Sequence, residues 1–301
     1  MTFADGDMIE GFFHRGVLHG FVRKYDNKNR LTDFGFYENG KPCFIWWKLI
    51  EHGGTIIGHV NEEGLLTGPE IAYLYSDFQT GFLGHFEDGI LVQAQAVHLE
   101  CVVEECKLLI PLFSEPCGPY FRREISELLT MTNEVLLPDP FETEWVEVRP
   151  STVPFANEGL FARRPVEAGQ ILAFYNGIRR EPKRTFDPPD WVKSAYRIFD
   201  PARKKGSLDI PPEYVDSKNY CASLSHKTNH SFMPSAEFEV YNHPRFGLVP
   251  CLVSITSIKA GEEIFVHYGY TLDHCPDWYT DAWDQDNFPV PESYNRDPTV
   301  T

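Results

Sequence analysis

Long apolar runs are missing from these 301 residues: no stretch of 18 could serve as a membrane span. Paired cysteines are missing too. Cys43, Cys101, Cys106, Cys117, Cys221, Cys251 and Cys275 are odd in number and contain no Cys-x-x-Cys spacing. That argues against a zinc cluster and a disulfide framework, and for free thiols in a reducing compartment. Basic residues are few. Lys and Arg total 27 against 44 Asp and Glu, a formal net charge of −17. Such a surface argues against direct binding to a nucleic-acid backbone. It suits a partner rich in Lys and Arg, which it would steer in, although acidity that only serves solubility is an equal reading of charge alone. There is no Gly-x-Gly-x-x-Gly and no phosphate-cradling Gly-Lys-Ser/Thr loop, and long amphipathic helices are scarce, so a doubly wound nucleotide-binding fold is not expected. The N-terminus, with Asp5 and Asp7, is unlike a signal peptide. The expectation is a soluble protein of the nucleus or cytoplasm.

What the chain does have is aromatic residues, 14% of the total, within a hydrophobic fraction of 42%, enough for a packed core. Over the first hundred residues they fall into a repeat. Gly11, Gly35, Gly58 and Gly84 recur at spacings of 24, 23 and 26, each followed within two places by an aromatic or Val. A second glycine follows in every copy, at Gly16, Gly40, Gly64 and Gly89; a third stands at Gly20 and Gly68 but is Phe44 and Gln93 in the other copies. A period near two dozen with strand–turn–strand units signals a repeat array. The glycines are expected to supply the positive φ of tight turns, and the alternating aromatics the face buried between hairpins. These repeats resemble MORN repeats. Their acidity disfavours anionic lipid and favours a scaffold or partner-docking role. Met1 stands almost inside a repeat, which implies an array shorter than in relatives or a truncated one.

Residues 96–137 read as a transition. Ile125 to Leu137 has the look of a short amphipathic segment, and Leu136-Leu137-Pro138-Asp139-Pro140 of a rigid extended stop. The domain boundary is placed near Pro138, within a window from 100 to 142. Beyond it come short strands. Trp145-Val146-Glu147-Val148 alternates, and two stretches echo one another: Val166-Glu167-Ala168-Gly169-Gln170-Ile171-Leu172 and Ile258-Lys259-Ala260-Gly261-Glu262-Glu263-Ile264. Each is a glycine turn feeding a strand that ends near a tyrosine, Tyr175 in one case and Tyr268 in the other.

The densest polar chemistry lies between Tyr220 and Tyr270. Asn229-His230-Ser231-Phe232 alone is what an ordinary turn uses. Followed some thirty residues later by Gly261-Glu262-Glu263-Ile264 and Tyr268-Gly269-Tyr270, it closely resembles the SET-domain protein-lysine methyltransferases, and with the N-terminal array, their MORN-containing subfamily. The resemblance covers roughly Pro138 to Tyr279. It implies a mainly β protein, with a MORN-like hairpin array over 1–95, a SET-domain fold with a pseudoknot over 138–279, and a loose tail over 280–301. The cysteine-rich zinc segment that follows the core in many SET enzymes is absent, and no metal is expected.

The resemblance further implies S-adenosylmethionine as cofactor and a lysine-bearing basic protein, histone-like, as substrate. It makes Tyr268, Tyr175 and Tyr270 catalytic, and Ala156, Asn157, Glu158, Asn229, His230 and Trp278 cofactor-binding. Tyr175, Asp187, Phe238 and Tyr268 are implied on the substrate side. By residue type alone His230 is more often a core histidine and the tyrosines read as packing residues, while Ala156 to Gly159 is equally a plain polar turn. Three positions depart from the close relatives. Pro250 replaces a substrate-side lysine, Ala282 an acid that contacts the cofactor, and Phe238 the tyrosine of monomethylating members. A phenylalanine there leaves apolar room for a further methyl. The alternative from another class is a catalytically weak or inactive SET fold that binds basic partners through the array. Oligomeric state is not legible.

Overall fold

The computed structural model describes residues 1–181, 192 and 194–286, and divides into two compact units. The first takes in Met1–Ile125 and Tyr241–Leu248; the second takes in Ser126–Val240 and the chain from Val249 onward.

The first unit is an antiparallel meander: β1 (Met8–His14), β2 (Val17–Tyr25), β3 (Leu31–Glu38), β4 (Lys41–Leu49), β5 (Thr55–His59), β6 (Gly68–Leu74), β7 (Thr80–Glu87) and β8 (Ile90–Glu105), each paired with the next. β8 also pairs with β9 (Leu108–Phe113) and β10 (Cys117–Phe121), so hairpin structure runs past residue 95. Trp47, Ile57, Ala72 and Leu74 form a core against which Leu99, Leu109 and Phe113 of the β8–β9 hairpin pack. The Trp47 indole N–H donates to the Leu109 carbonyl at 2.9 Å.

The repeat is real, but its glycines divide the work differently from the expectation. Only the second series turns the chain, with Gly40 at φ 83° as an instance. The first series lies within strands, where no positive φ is needed. A Cβ on Gly35 would come within 2.5 Å of the Trp46 indole, so glycine there admits the neighbouring ring. Phe44 holds the left-handed backbone (φ 60°) that Gly20 holds at the matching position (φ 95°), a bulky residue in a glycine conformation.

Tyr241–Leu248, which the first unit includes, is built around His243 and Arg245, both fully buried. His243 Nδ1 accepts the Arg245 N–H at 3.1 Å, and its Nε2 bonds the Tyr75 hydroxyl at 3.2 Å. Arg245 lies over the Phe121 and Phe246 rings.

In the second unit, residues 126–139 form no helix or strand apart from a single bridge at Leu128, so the expected amphipathic segment is irregular chain. Pro140 does not continue an extended stop; it begins α1 (Pro140–Trp145). Asp139 caps this helix by accepting the N–H groups of Phe141 (3.0 Å) and Glu142 (3.3 Å). β11 (Val146–Pro150) and β12 (Glu158–Ala162) form a hairpin. β13 (Ile171–Phe174), β19 (Gly247–Ser254) and β18 (Ala236–His243) make one three-stranded sheet; β14 (Ile178–Arg180), β16 (Ser207–Asp209) and β15 (Ile198–Phe199) make another. The two echoing stretches face each other: Val166 and Ile258 exchange two backbone hydrogen bonds (2.8 and 3.0 Å) and both enter the core with Leu160, Leu172, Leu252 and Ile264. α2 (Asp277–Asp286) follows Pro276 and carries Asp277 in its first turn, so 281–286 are helical and not a loose tail; 287–301 lie outside the described residues. No helix among the described residues is long and apolar enough to cross a membrane.

Candidate functional site

The site is assembled by two very short parallel strands. β17 (Asn229–His230) pairs with β20 (Phe265–Val266), Asn229 against Phe265 and His230 against Val266. The two motifs thereby lie side by side. The Tyr268 N–H donates to His230 Nδ1 at 3.1 Å, which fixes the imidazole and starts the tyrosine turn. Next to this pair opens a cleft of about 1400 Å³, lined by the 153–158 loop, by Tyr196, His226 and Lys227, and by Asn229, His230, Tyr268, Tyr270 and Trp278.

Most of the expected residues meet there. Ala156, Asn157, Glu158, Asn229, His230, Tyr268, Tyr270 and Trp278 all line the cleft. Tyr175 and Phe238 are not among the lining residues. Tyr175 is buried and packs edge-on against His226 (6.2 Å, 80°) and Phe238 (6.0 Å, 77°). Asp187 lies outside the described residues.

Two expected cofactor residues spend their side chains on the protein. The Asn229 amide donates to Ser151 Oγ (3.0 Å), to the Glu158 carbonyl (3.0 Å) and to Glu263 Oε1 (3.1 Å). The Glu158 carboxylate accepts from Ser217 Oγ, from the Ser217 N–H (3.2 Å) and from Lys227 Nζ, which also donates to the Val215 carbonyl. Burial raises the Glu158 carboxyl, but the hydrogen bonds from Lys227 and Ser217 outweigh it and hold the group below the usual carboxylate range.

Four residues escaped the sequence reading. Glu263 accepts from Ser151 Oγ (2.7 Å), the Thr152 N–H (2.7 Å), the Thr152 hydroxyl and Asn229, and so joins the 151–152 loop to both motifs. Burial would raise its carboxyl as well, yet bonds from Thr152, Ser151 and Asn229 lower it. A Cβ on Gly159 would stand 2.1 Å from Glu263 Oε1, so this brace requires glycine at 159. His226 is enclosed by the rings of Tyr175, Tyr196 and Tyr220. Lys227 and Tyr196 complete the set. Glu263 was visible as part of a motif, but its loop partners Ser151 and Thr152 are over a hundred positions away, and His226 and Lys227 carry no signal beyond standing just before the Asn229 motif.

Protonation states follow from burial. Tyr268 donates its hydroxyl to the Thr228 carbonyl at 3.1 Å, and burial raises its pKa, so it is a neutral phenol at pH 7. Tyr175 donates to the Tyr196 carbonyl at 2.5 Å, and burial raises its pKa well above the usual phenol range. Burial lowers His226 to about 3, helped by Lys227, and His230 to about 4, helped by His267. Both rings are neutral at pH 7. Among the described residues, neither His226 nitrogen has a hydrogen-bond partner, nor has His230 Nε2. Buried orphan nitrogens at a cleft are what a polar ligand would satisfy.

The two imidazoles carry a pH prediction. In the unfolded chain they titrate near 6.5, so on acidification the unfolded state takes up protons first. Stability is complete above about pH 6.5 and should decline toward pH 4, by about 1.4 kcal/mol per pH unit for each ring. Denaturant titrations between pH 7 and 5 measure the slope, and His226→Phe should flatten it. A slope unchanged in that variant would rule His226 out as its source.

Comparison with known proteins yields the following. Residues 37–108 match the family described as histone H3 K4-specific methyltransferase SET7 N-terminal, and residues 157–269 match the SET domain family. Histone-lysine N-methyltransferase SETD7 of Halocynthia roretzi is 34% identical over 266 residues, covering 85% of this chain and 68% of that protein. Among solved structures, an active polycomb repressive complex 2 in the basal state is 22% identical with a TM-score of 0.31, over 42% of this chain and 15% of that one. An autoinhibited complex bound to S-adenosylmethionine gives 22% and 0.32, over 50% and 18%. The chain thus spans under a fifth of those chains, and at these scores the likeness carries no argument.

Proposed function

This chain belongs to the SET-domain protein-lysine N-methyltransferases, enzymes that transfer a methyl group from S-adenosylmethionine to a lysine side chain, and on that premise we propose how its cleft divides the task. The observation that carries the proposal is the neutral, immobilised Tyr268 hydroxyl in the same cleft as the orphan His230 Nε2.

Bound S-adenosylmethionine supplies an electrophilic methyl on a sulfonium. His230 Nε2 and the backbone of Ala156, Asn157 and Glu158 would hold the cofactor, and Trp278, in the same cleft, would offer its ring to the purine. Asn229 and Glu158 act through their surroundings, since their side chains brace the 151–158 loop and the 215–217 segment. The substrate lysine must react as a neutral amine. Its pKa in water is about 10.4, and desolvation among Tyr268, Tyr270, Tyr196 and Tyr175 favours loss of its proton. Tyr268 donates to Thr228, so its oxygen lone pairs are directed elsewhere and can orient the amine. Tyr175 is pinned in the same way through Tyr196.

The substrates are lysines in basic proteins, histone tails included, drawn by the −17 charge. Direct nucleic-acid binding has no part in this reading. The workplace is the nucleus or cytoplasm, and the hairpin array is a docking element. Calorimetry with S-adenosylmethionine and label transfer to a library of lysine-rich peptides test the assignment; no binding and no labelled peptide would overturn it.

Phe238, edge-on to Tyr175, sets the number of methyls. Without a hydroxyl to hold water or the amine, the channel should accept a second methyl, and Phe238→Tyr should restore monomethylation. Mass spectrometry of a peptide driven to completion decides: a wild-type product halted at one methyl refutes the Phe238 argument.

A further inference from the structure

Phe155 is a residue in the wrong place by every criterion of the free protein. Its relative exposure is 101%, so none of the described residues covers its ring. Its backbone sits at φ 66°, in the left-handed region that glycine takes freely and a bulky side chain resists. Asn157, two residues on, is also left-handed (φ 59°), but asparagine takes that conformation at less cost than phenylalanine. Backbone strain of this kind persists where a use for it exists. Burial of an apolar ring is a gain only when something covers it, and none of the described residues does.

The surroundings identify what covers it. Phe155 lines the cleft and immediately precedes Ala156, Asn157 and Glu158. Its loop is held by Glu263 through Ser151 and Thr152, on the side of the Asn229–His230 motif. The aromatic residues around His226, by contrast, belong to the proposed amine channel. Trp278, itself 48% exposed, lines the same cleft. Two solvent-facing aromatic rings in one cleft are suited to a flat, polarisable ligand group with two apolar faces, which in this family's cofactor is the purine.

We propose that Phe155 is a purine-stacking residue of the cofactor cleft, which closes from the 151–157 loop on the adenine base that Trp278 also contacts. The inference rests on the cofactor reading above and adds to it a residue whose side chain, not only whose neighbours' backbone, selects the ligand. It accounts for the strain. The left-handed backbone holds the ring out in solvent at the cleft, where it awaits the base.

The test uses the full chain and S-adenosylhomocysteine, titrated by calorimetry into wild type, Phe155→Ser, Phe155→Gly and Phe155→Trp. Serine and glycine should weaken binding about tenfold, within the range of an aromatic stack on a base, and tryptophan should retain it. Adenosine, which carries the purine without the amino acid, should lose affinity by the same factor, and the kinetic loss should fall on the cofactor KM. The glycine variant separates this role from a structural one. It relieves the strained backbone, so the free protein should melt no lower than wild type while it binds more weakly. Serine and glycine variants with wild-type affinity would overturn the proposal, as would a loss for S-adenosylhomocysteine that adenosine does not share. A wild-type chain that binds no S-adenosylhomocysteine overturns the cofactor reading itself, a separate outcome.

Discussion

Tyr268→Phe should lower kcat for methyl transfer by roughly 100- to 1000-fold, the range reported for deleting one preorganised polar group from a transition-state site. The dissociation constant for the cofactor should stay within about twofold, because the change removes one oxygen and almost no volume from a ring that packs against the core. The hydroxyl matters because it cannot wander. Its proton is committed to the Thr228 carbonyl at 3.1 Å, and burial keeps it protonated well above neutral pH. A phenol that could ionise or rotate would present its lone pairs only part of the time. Phenylalanine leaves the carbonyl without that donor and the amine without its orienting acceptor. Single-turnover label transfer measures the first effect and calorimetry the second. Normal turnover in the variant would remove Tyr268 from the mechanism.

The second large effect is expected at Glu263, a residue with no reason to touch any ligand. Its two oxygens receive four donors, two from Thr152 and one each from Ser151 and Asn229. Glutamine keeps the size but offers a single acceptor oxygen, and its amide N–H groups would face donors. At about 1–3 kcal/mol for each buried donor left unpaired, Glu263→Gln should destabilise the protein by about 3 kcal/mol. Because the same bonds hold the loop that carries Ala156, Asn157 and Glu158, the cofactor should bind about tenfold or more weakly. Thermal unfolding and S-adenosylhomocysteine titration check the two halves. If both match wild type, the carboxylate is an ornament and not a brace.

What the sequence disclosed and what it withheld divide along the separation of interacting residues. The hairpin array was legible because its glycines and aromatics recur locally, and the second series of glycines does turn the chain. The first series was misread. A glycine selected for close approach to a neighbouring ring, as Gly35 is to Trp46, looks identical in sequence to one selected for positive φ. The short pairing of β17 with β20 was within reach because two motifs flank it. The helix at Pro140 had its own local signal, a capping Asp followed by Pro, which the reading of those prolines as an extended stop overrode. Glu158 with Lys227 and Glu263 with Ser151 were out of reach, since no periodicity links residues 69 and 112 positions apart. The same limit applies to Asn229. Its identity marked the site, but not that its amide would be consumed by the protein itself.

The eight residues Tyr241–Leu248 have a consequence for synthesis on the ribosome. The first unit is encoded almost wholly by residues 1–125, yet it is incomplete until these eight arrive. At about 5–20 residues per second, the intervening stretch of roughly 120 residues takes on the order of 6–25 s to make. Throughout that interval Tyr73, Tyr75 and Phe121 wait without the side chains they will bury: the Tyr241 hydroxyl, the His243 imidazole and the Arg245 guanidinium. The nascent N-terminal half should therefore emerge as an unfinished sheet with an open aromatic seam, which closes only once residues 241–248 have left the exit tunnel.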